Sequence, residues 1–273
     1  MASFGYIPSN VWWKDILRKI IGWPNLIKRI QAFDIIRALN LRDGDVALDF
    51  GCGEGALTFE MAKRCKYAVG IDTIKSLEKI KIPQKLAGKI KFIVVDGRRL
   101  PFPDSYFDVV LASEILPMIS DAQEFLDEIK RVLKPQGRII VVNGIGHPAI
   151  KNAYNKNSLF IRIMKKTLNA PATYKEYESK LNKNFETAVK NFYSDKELIE
   201  LLNRNNFNIL QKKYSFRKNV SVINSYITFF LFCLNLPTFG YHFFVLYPLF
   251  RILEDIDKNS RGSGLIIEAK KNA

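Results

Sequence analysis

Four carboxylates announce the chemistry of this chain. Asp49, Asp72, Asp96 and Glu114 each close, or closely follow, a short apolar run, at 46–50, 67–71, 90–95 and 107–112. The first run leads directly into Gly51-Cys52-Gly53-Glu54-Gly55-Ala56, and then into Leu57, Phe59 and Met61. Glycines at alternate positions let the backbone take positive φ and let a ligand approach closely. A helix after the loop would offer N–H groups and the positive end of its dipole. Read alone, the loop also fits the G-x-G-x-x-A form of a dinucleotide site. Asp49 argues against that use, because a dinucleotide loop keeps a small apolar residue there to admit the pyrophosphate. A carboxylate suits a cationic or amine-bearing ligand. Asp72 stands 23 residues after Asp49 with Thr73 beside it, a spacing that lets it accept both hydroxyls of a ribose. Asp96 can accept from an exocyclic adenine amine, and Gly97 leaves room for the ring. Cys52 has the chemistry of a nucleophile, but inside a glycine loop it reads as a small, tolerated side chain.

These carboxylates need strands to carry them to one edge. From Val46 the pattern alternates strand and helix in the doubly wound manner. Helix is expected from Ala56 to about Cys65, and 133–137 turns into a fifth strand over 138–143. Ser194-Asp195-Lys196-Glu197 is a capping box that opens a helix with Leu198, Leu201 and Leu202 on one face. A sixth strand follows near 207–216, and 264–269 supplies the last. The first forty residues read as two helices split by Trp23-Pro24. In the first, Trp13, Ile16, Leu17, Ile20 and Ile21 share a face opposite Lys14, Asp15, Arg18 and Lys19, which suits either a membrane interface or a packed helix. The second, with Leu26, Ile30, Phe33 and Ile36 in helical spacing, is expected to cap the sheet.

Composition narrows the partners. The net charge is +15, with basic residues concentrated in 1–42 and 151–190, a balance that favours an anionic partner, nucleic acid or an acidic membrane surface. Three cysteines without paired spacing favour a reducing compartment. Two histidines and no metal-ligand spacing leave no zinc site. The start of the sequence, with Trp12, Trp13 and early basic residues, does not read as a cleavable signal.

Taken together, 48–55, Gly70-Ile71-Asp72, 96–108 and 131–138 resemble the successive motifs of class I S-adenosylmethionine (SAM)-dependent methyltransferases, in the small-molecule branch that acts on quinones, sterols and other lipids. The resemblance implies an α/β fold, a Rossmann-like doubly wound sheet of seven strands, with SAM as cofactor. It implies that Gly51, Cys52 and Gly53 line the methionine part near Asp49, that Asp72 and Thr73 meet the ribose, that Asp96 and Gly97 meet adenine, and that Ala112 packs nearby. His147, just past the fifth strand, and Glu114 are the candidates for a general base. Two departures stand out. Pro117 and Met118 occupy positions after the fourth strand where this branch often carries a polar residue, which implies an apolar acceptor side. Gln136 replaces the first glycine of a Pro-Gly-Gly turn, a change expected to be a harmless surface one.

Between the last two strands, 219–250 contains no Asp, Glu, Lys or Arg over 32 residues. A single membrane span is excluded by topology, since the last strand must return to the same sheet. Two spans would need about forty residues. Pro237, Gly240 and Pro248 interrupt the run, so it reads as two short helices, 221–236 and 241–253, forming an apolar hairpin. That hairpin dips into one leaflet, roofs an apolar acceptor site, or forms a dimer interface. The expected organisation is a helical cap over 1–42, a SAM-binding core over 43–146, a basic lid over 147–193 and completion of the core over 194–273. The expected activity is methyl transfer to a lipid or lipid-linked acceptor by a protein held peripherally, as a monotopic one, on the cytoplasmic face of the cell membrane. Two rivals remain: a nucleic-acid methyltransferase, disfavoured because 112–115 lacks the Pro-Pro-aromatic motif of amino-methylating DNA enzymes, and a catalytically silent scaffold of the same fold.

Overall fold

In the computed structural model, residues 26–73, 75–95, 99–143, 148–181, 193–215, 218–234 and 264–272 are described. Seven strands form one sheet: β1 (Val46–Phe50), β2 (Tyr67–Asp72), β3 (Ile90–Val94), β4 (Phe107–Ser113), β5 (Leu133–Asn143), β6 (Phe207–Tyr214) and β7 (Leu265–Lys271). Their order is β3-β2-β1-β4-β5-β7-β6. The first five run parallel, and β7 is antiparallel to both its neighbours. β6 therefore points the same way as β5. The carboxyl ends of β1, β2, β4, β5 and β6 all lie along one edge.

The near-continuous apolar strands are explained by burial on both faces. Alternate residues feed two cores. Leu48, Phe50, Val110 and Val141 pack with Phe125 and Ile129 of α3 (Ala122–Val132) and with Leu198 and Leu202 of α7 (Asp195–Arg204). Ala47, Val109, Leu111 and Ile140 pack with Ile35 and Leu39 of α1 (Leu26–Leu39) and with Phe59 and Met61 of α2 (Ala56–Ala62). The expected cap is α1, but its inward face is rotated from the expected one. Gln31, Ala32, Ile35, Ala38 and Leu39 are buried, while Phe33 and Ile36 are only half-buried. Small alanines at 32 and 38 let the helix lie close to the sheet, and Arg138 ties its end down by donating to the carbonyls of Leu39 (3.0 Å) and Asn40 (3.3 Å).

The expected capping box at α7 is present, with Ser194 and Glu197 bonding reciprocally. The turn before the fifth strand differs. The strand runs from Leu133 with a register irregularity, and exposed Gln136 sits at φ +67, in the left-handed region. The change from glycine is on the surface as expected, yet it strains the backbone.

The basic segment and the apolar insertion, read separately in the sequence, pack into one helical unit. It comprises α4 (Pro148–Asn155), α5 (Leu159–Leu168), α6 (Tyr174–Leu181) and α8 (Lys218–Cys233). Ile150, Ile161, Met164, Tyr177 and Phe229 are buried together at its centre. Because α4 follows β5 and α8 follows β6, the unit joins the sheet at the carboxyl edge. The second half of the expected hairpin and the Trp13 helix lie outside the described residues, and no described helix is long and apolar enough to cross a membrane.

Candidate active site

Asp49 comes from β1 and is almost completely buried, 1% exposed. Its Oδ2 accepts from the Thr58 hydroxyl at 2.6 Å, on the first turn of α2. Burial pushes its pKa up from 3.8 to about 7; the Thr58 bond opposes this, and the Asp72 carboxylate adds to it. Among the described residues, none of the groups acting on it is a cation. A buried carboxylate of this kind is complemented by a cationic group.

The loop after Asp49 explains its glycines. Gly51 has φ +72, and a Cβ there would meet Ile115 Cδ1 at 2.8 Å. Gly53 has φ +54 and open space within 4 Å of where a Cβ would stand. The loop's amides are engaged within the protein. Gly51 and Cys52 donate to the Ile71 carbonyl at 2.9 and 3.0 Å, and Gly55 donates to the Cys52 carbonyl at 2.9 Å. Gly53 donates to Asp72 Oδ2 at 2.8 Å. A pyrophosphate cradle needs such amides turned toward the anion. This loop offers a ligand an open backbone flanked by carboxylates, which fits the cationic amino-acid end of SAM and does not fit a dinucleotide.

Asp72 is half-buried at the end of β2, and the Thr73 hydroxyl lies 3.5 Å from its Oδ1. Cys52 is no nucleophile: burial pushes its thiol far up, and the Asp49 and Asp72 carboxylates push it further. Ala112 is buried in the sheet between Phe50 and Val141, in the same core as Leu116. Glu114 follows β4 at φ +57. Its amide donates to the Val142 carbonyl at 2.8 Å, and its Oε1 accepts from Gln31 Nε2 at 2.8 Å. The turn it begins brings Ile115 against Gly51. Asp49, Asp72 and Glu114 thus share the carboxyl edge, whereas Asp96, Gly97 and His147 lie outside the described residues.

Three supporting residues escaped the sequence reading. Thr58 holds Asp49, and Gln31 holds Glu114. Gln31 was detectable as the single polar member of an apolar stripe with Ile35 and Ala38. Arg131 lies within a recognised motif, but its task was not evident. It donates to the carbonyls of Phe102 (2.9 Å) and Leu100 (3.2 Å) and to Asp104 (2.8 Å), while Glu128, paired with it, accepts from the Leu100 amide at 2.6 Å. Together they pin the loop that follows Asp96 and Gly97.

A sequence profile described as "Methyltransferase domain" matches residues 48–141. The chain is 32% identical to the "Uncharacterized methyltransferase C70.08c" of Schizosaccharomyces pombe, over 50% of this chain and 53% of that one. It is 30% identical to the ubiquinone/menaquinone biosynthesis C-methyltransferase UbiE of Ectopseudomonas mendocina, over 53% of this chain and 59% of that one. The chain thus spans a little over half the length of these curated relatives. In fold it is similar to a geranyl diphosphate methyltransferase solved in complex with GPP and sinefungin, with a TM-score of 0.53 and 18% identity, covering 89% of this chain and 78% of that one. Residues 48–141, which carry the Asp49 loop, match a methyltransferase domain of the class I SAM-dependent kind, are similar to quinone methyltransferases, and take SAM as cofactor.

Proposed function

We propose that this protein transfers the methyl group of SAM to a lipid or lipid-linked acceptor, such as a polyprenyl, quinone or glycolipid, at the cytoplasmic face of a membrane. The observation that carries the reading is the helical unit at the carboxyl edge. Its centre is built of Tyr154, Phe160, Tyr174, Tyr177 and Phe229, with ring centroids 4.9 to 6.2 Å apart. An aromatic cover beside a SAM loop suits an apolar acceptor. The relative named for ubiquinone and menaquinone biosynthesis supports the same class.

SAM, when bound, supplies a methyl group on a positively charged sulfur. In this reading Asp49 balances cationic charge from beneath the loop, and Gly51, Cys52 and Gly53 form the wall beside the methionine part. Asp72, which also holds the Gly53 amide, accepts from ribose hydroxyls, with Thr73 alongside. Asp96 and Gly97 meet adenine, and Ala112 closes the floor. Methyl transfer is an in-line displacement, so alignment of the acceptor is the main service the protein renders. Glu114, held by Gln31, takes the proton released by the acceptor's nucleophilic atom, with His147 as the other candidate base. Residues 1–42 serve as a cap, 43–146 as the cofactor core, 147–193 as the lid, and 194–273 complete the core.

Mass spectrometry of lipid extracts from cells with and without the gene tests this. A lipid lighter by one CH2 group accumulates without the gene if the reading holds. Unchanged lipids together with an under-methylated RNA would replace it with the nucleic-acid alternative.

A further inference from the structure

Six large apolar side chains are exposed among the described residues, and four of them sit on two neighbouring helices. On α5 these are Leu159 (64% exposed) and Ile163 (49%), one turn apart. On α8 they are Phe230 (44%) and, directly after its last residue, Leu234 (38%). The two helices meet where the Phe160 ring stands 4.8 Å from that of Tyr226. Ile163 lies one turn after Phe160 and shares its side of α5, and Leu159 lies one turn before Ile163 on the same stripe. Phe230 and Leu234 follow Tyr226 by one and two turns, so they continue its side of α8. The two apolar pairs therefore adjoin across one seam.

The helices that form this seam, and α4 beside them, carry charge of a single sign. Residues 148–168 and 218–234 contain no Asp or Glu. Arg162 and Lys166 form an exposed basic stripe on α5 beside Leu159 and Ile163, and Lys151 on α4 and Lys156 directly after it are exposed. Lys165 is turned away, donating to the Ala172 carbonyl at 2.7 Å.

We infer that the α5–α8 seam is a docking surface for an anionic phospholipid bilayer, with Leu159, Ile163, Phe230 and Leu234 entering the headgroup boundary and Arg162, Lys166, Lys151 and Lys156 meeting lipid phosphates. Apolar side chains framed by cations and without acids are the signature of an interfacial surface. A nucleic acid would use the cations but has no place for four aliphatic and aromatic side chains. A second copy would bring the same cations face to face in a two-fold interface. The inference rests on the proposed lipid acceptor and adds to it. The bilayer is met by helices that stand at the carboxyl edge, so an acceptor leaves the membrane on the side where Asp49, Asp72 and Glu114 end.

Flotation of the full chain with phosphatidylcholine vesicles, with and without phosphatidylglycerol, tests the surface. The Leu159→Gln/Ile163→Gln/Phe230→Gln/Leu234→Gln variant is compared with an Ile82→Gln/Leu210→Gln control, which removes exposed apolar side chains elsewhere. The expected result is partitioning weakened about tenfold or more in the seam variant and unchanged in the control. Arg162→Glu/Lys166→Glu should remove the preference for phosphatidylglycerol. All variants should keep SAM binding by calorimetry, which separates a lost surface from a lost fold. If the intact chain floats and the seam variant floats equally, this surface is wrong while the lipid acceptor stands. If the intact chain floats on neither vesicle, the membrane part of the proposed function falls with it. A dimer that the seam substitutions dissociate, or RNA binding that they abolish, would assign the seam to that partner and overturn the inference.

Discussion

The backbone N–H of Gly53 donates to Oδ2 of Asp72 at 2.8 Å, so the glycine loop and the end of β2 form a single unit. Removing the Asp72 carboxylate should release the loop and withdraw the acceptor for ribose at once. Asp72→Ala is expected to weaken SAM or S-adenosylhomocysteine binding by ~1.5–3 kcal/mol, the worth of hydrogen bonds to a charged group. Isothermal calorimetry checks this. Unchanged affinity would remove Asp72 from the ribose role, and tight NADH binding would overturn the reading of the loop.

Asp49 gives the site a pH signature. Its pKa is about 7 in the folded chain against 3.8 for the free group. Between those values the folded state holds the extra proton, so this group's contribution to stability falls as pH rises from 4 to 7. A cationic ligand prefers the ionised form, so the sign for binding is opposite. SAM affinity should rise by up to about tenfold per pH unit below 7 and level off above it, with a proton released on binding at pH 6. Thr58→Val removes a bond that lowers the pKa and should move the midpoint upward. Calorimetry in buffers of different ionisation enthalpy counts the proton. A flat affinity from pH 5 to 8 would contradict the pairing of Asp49 with a cation.

Arg131 holds the loop that follows the adenine-side residues through three bonds to 100–104 and its pair with Glu128. Arg131→Ala leaves the partly buried Glu128 carboxylate and two carbonyls without this partner, at an expected cost of about 2–3 kcal/mol in unfolding free energy. Arg131→Lys should recover only part of it, because a lysine lacks the planar fork. Urea denaturation of the three proteins reads the order directly.

Gln136 offers the converse test. At φ +67 it occupies a conformation that glycine adopts without strain. Gln136→Gly should stabilise the chain by about 1 kcal/mol, with cofactor affinity unchanged since the turn is at the opposite edge of the sheet. A destabilised variant would mean that the Gln136 side chain contributes contacts exceeding its strain.

The strands and their acids were legible because parallel strands buried on both faces read as apolar runs, and each run ended on Asp49, Asp72 or shortly before Glu114. The positions that support those acids were not legible in the same way. Thr58 acts on a residue of another element and its own local pattern is that of an ordinary helix, while Gln31, although a polar member of an apolar stripe, gives no local sign of its distant partner Glu114. The fusion of the basic segment with the apolar insertion was hidden for a similar reason. Tyr154, Tyr177 and Phe229 share a core though they come from segments separated by β6 and α7, and no local periodicity reports such a meeting. The strain at Gln136 was invisible because residue type reveals a tolerated conformation only when that residue is glycine.

The most direct measurement is the fate of the methyl group. Purified full-length protein is given methyl-labelled SAM together with a total lipid extract and total RNA in one reaction. The account predicts label in the organic phase, in a product that disappears with Asp72→Ala. Label confined to RNA, with none in the lipid fraction, would contradict it.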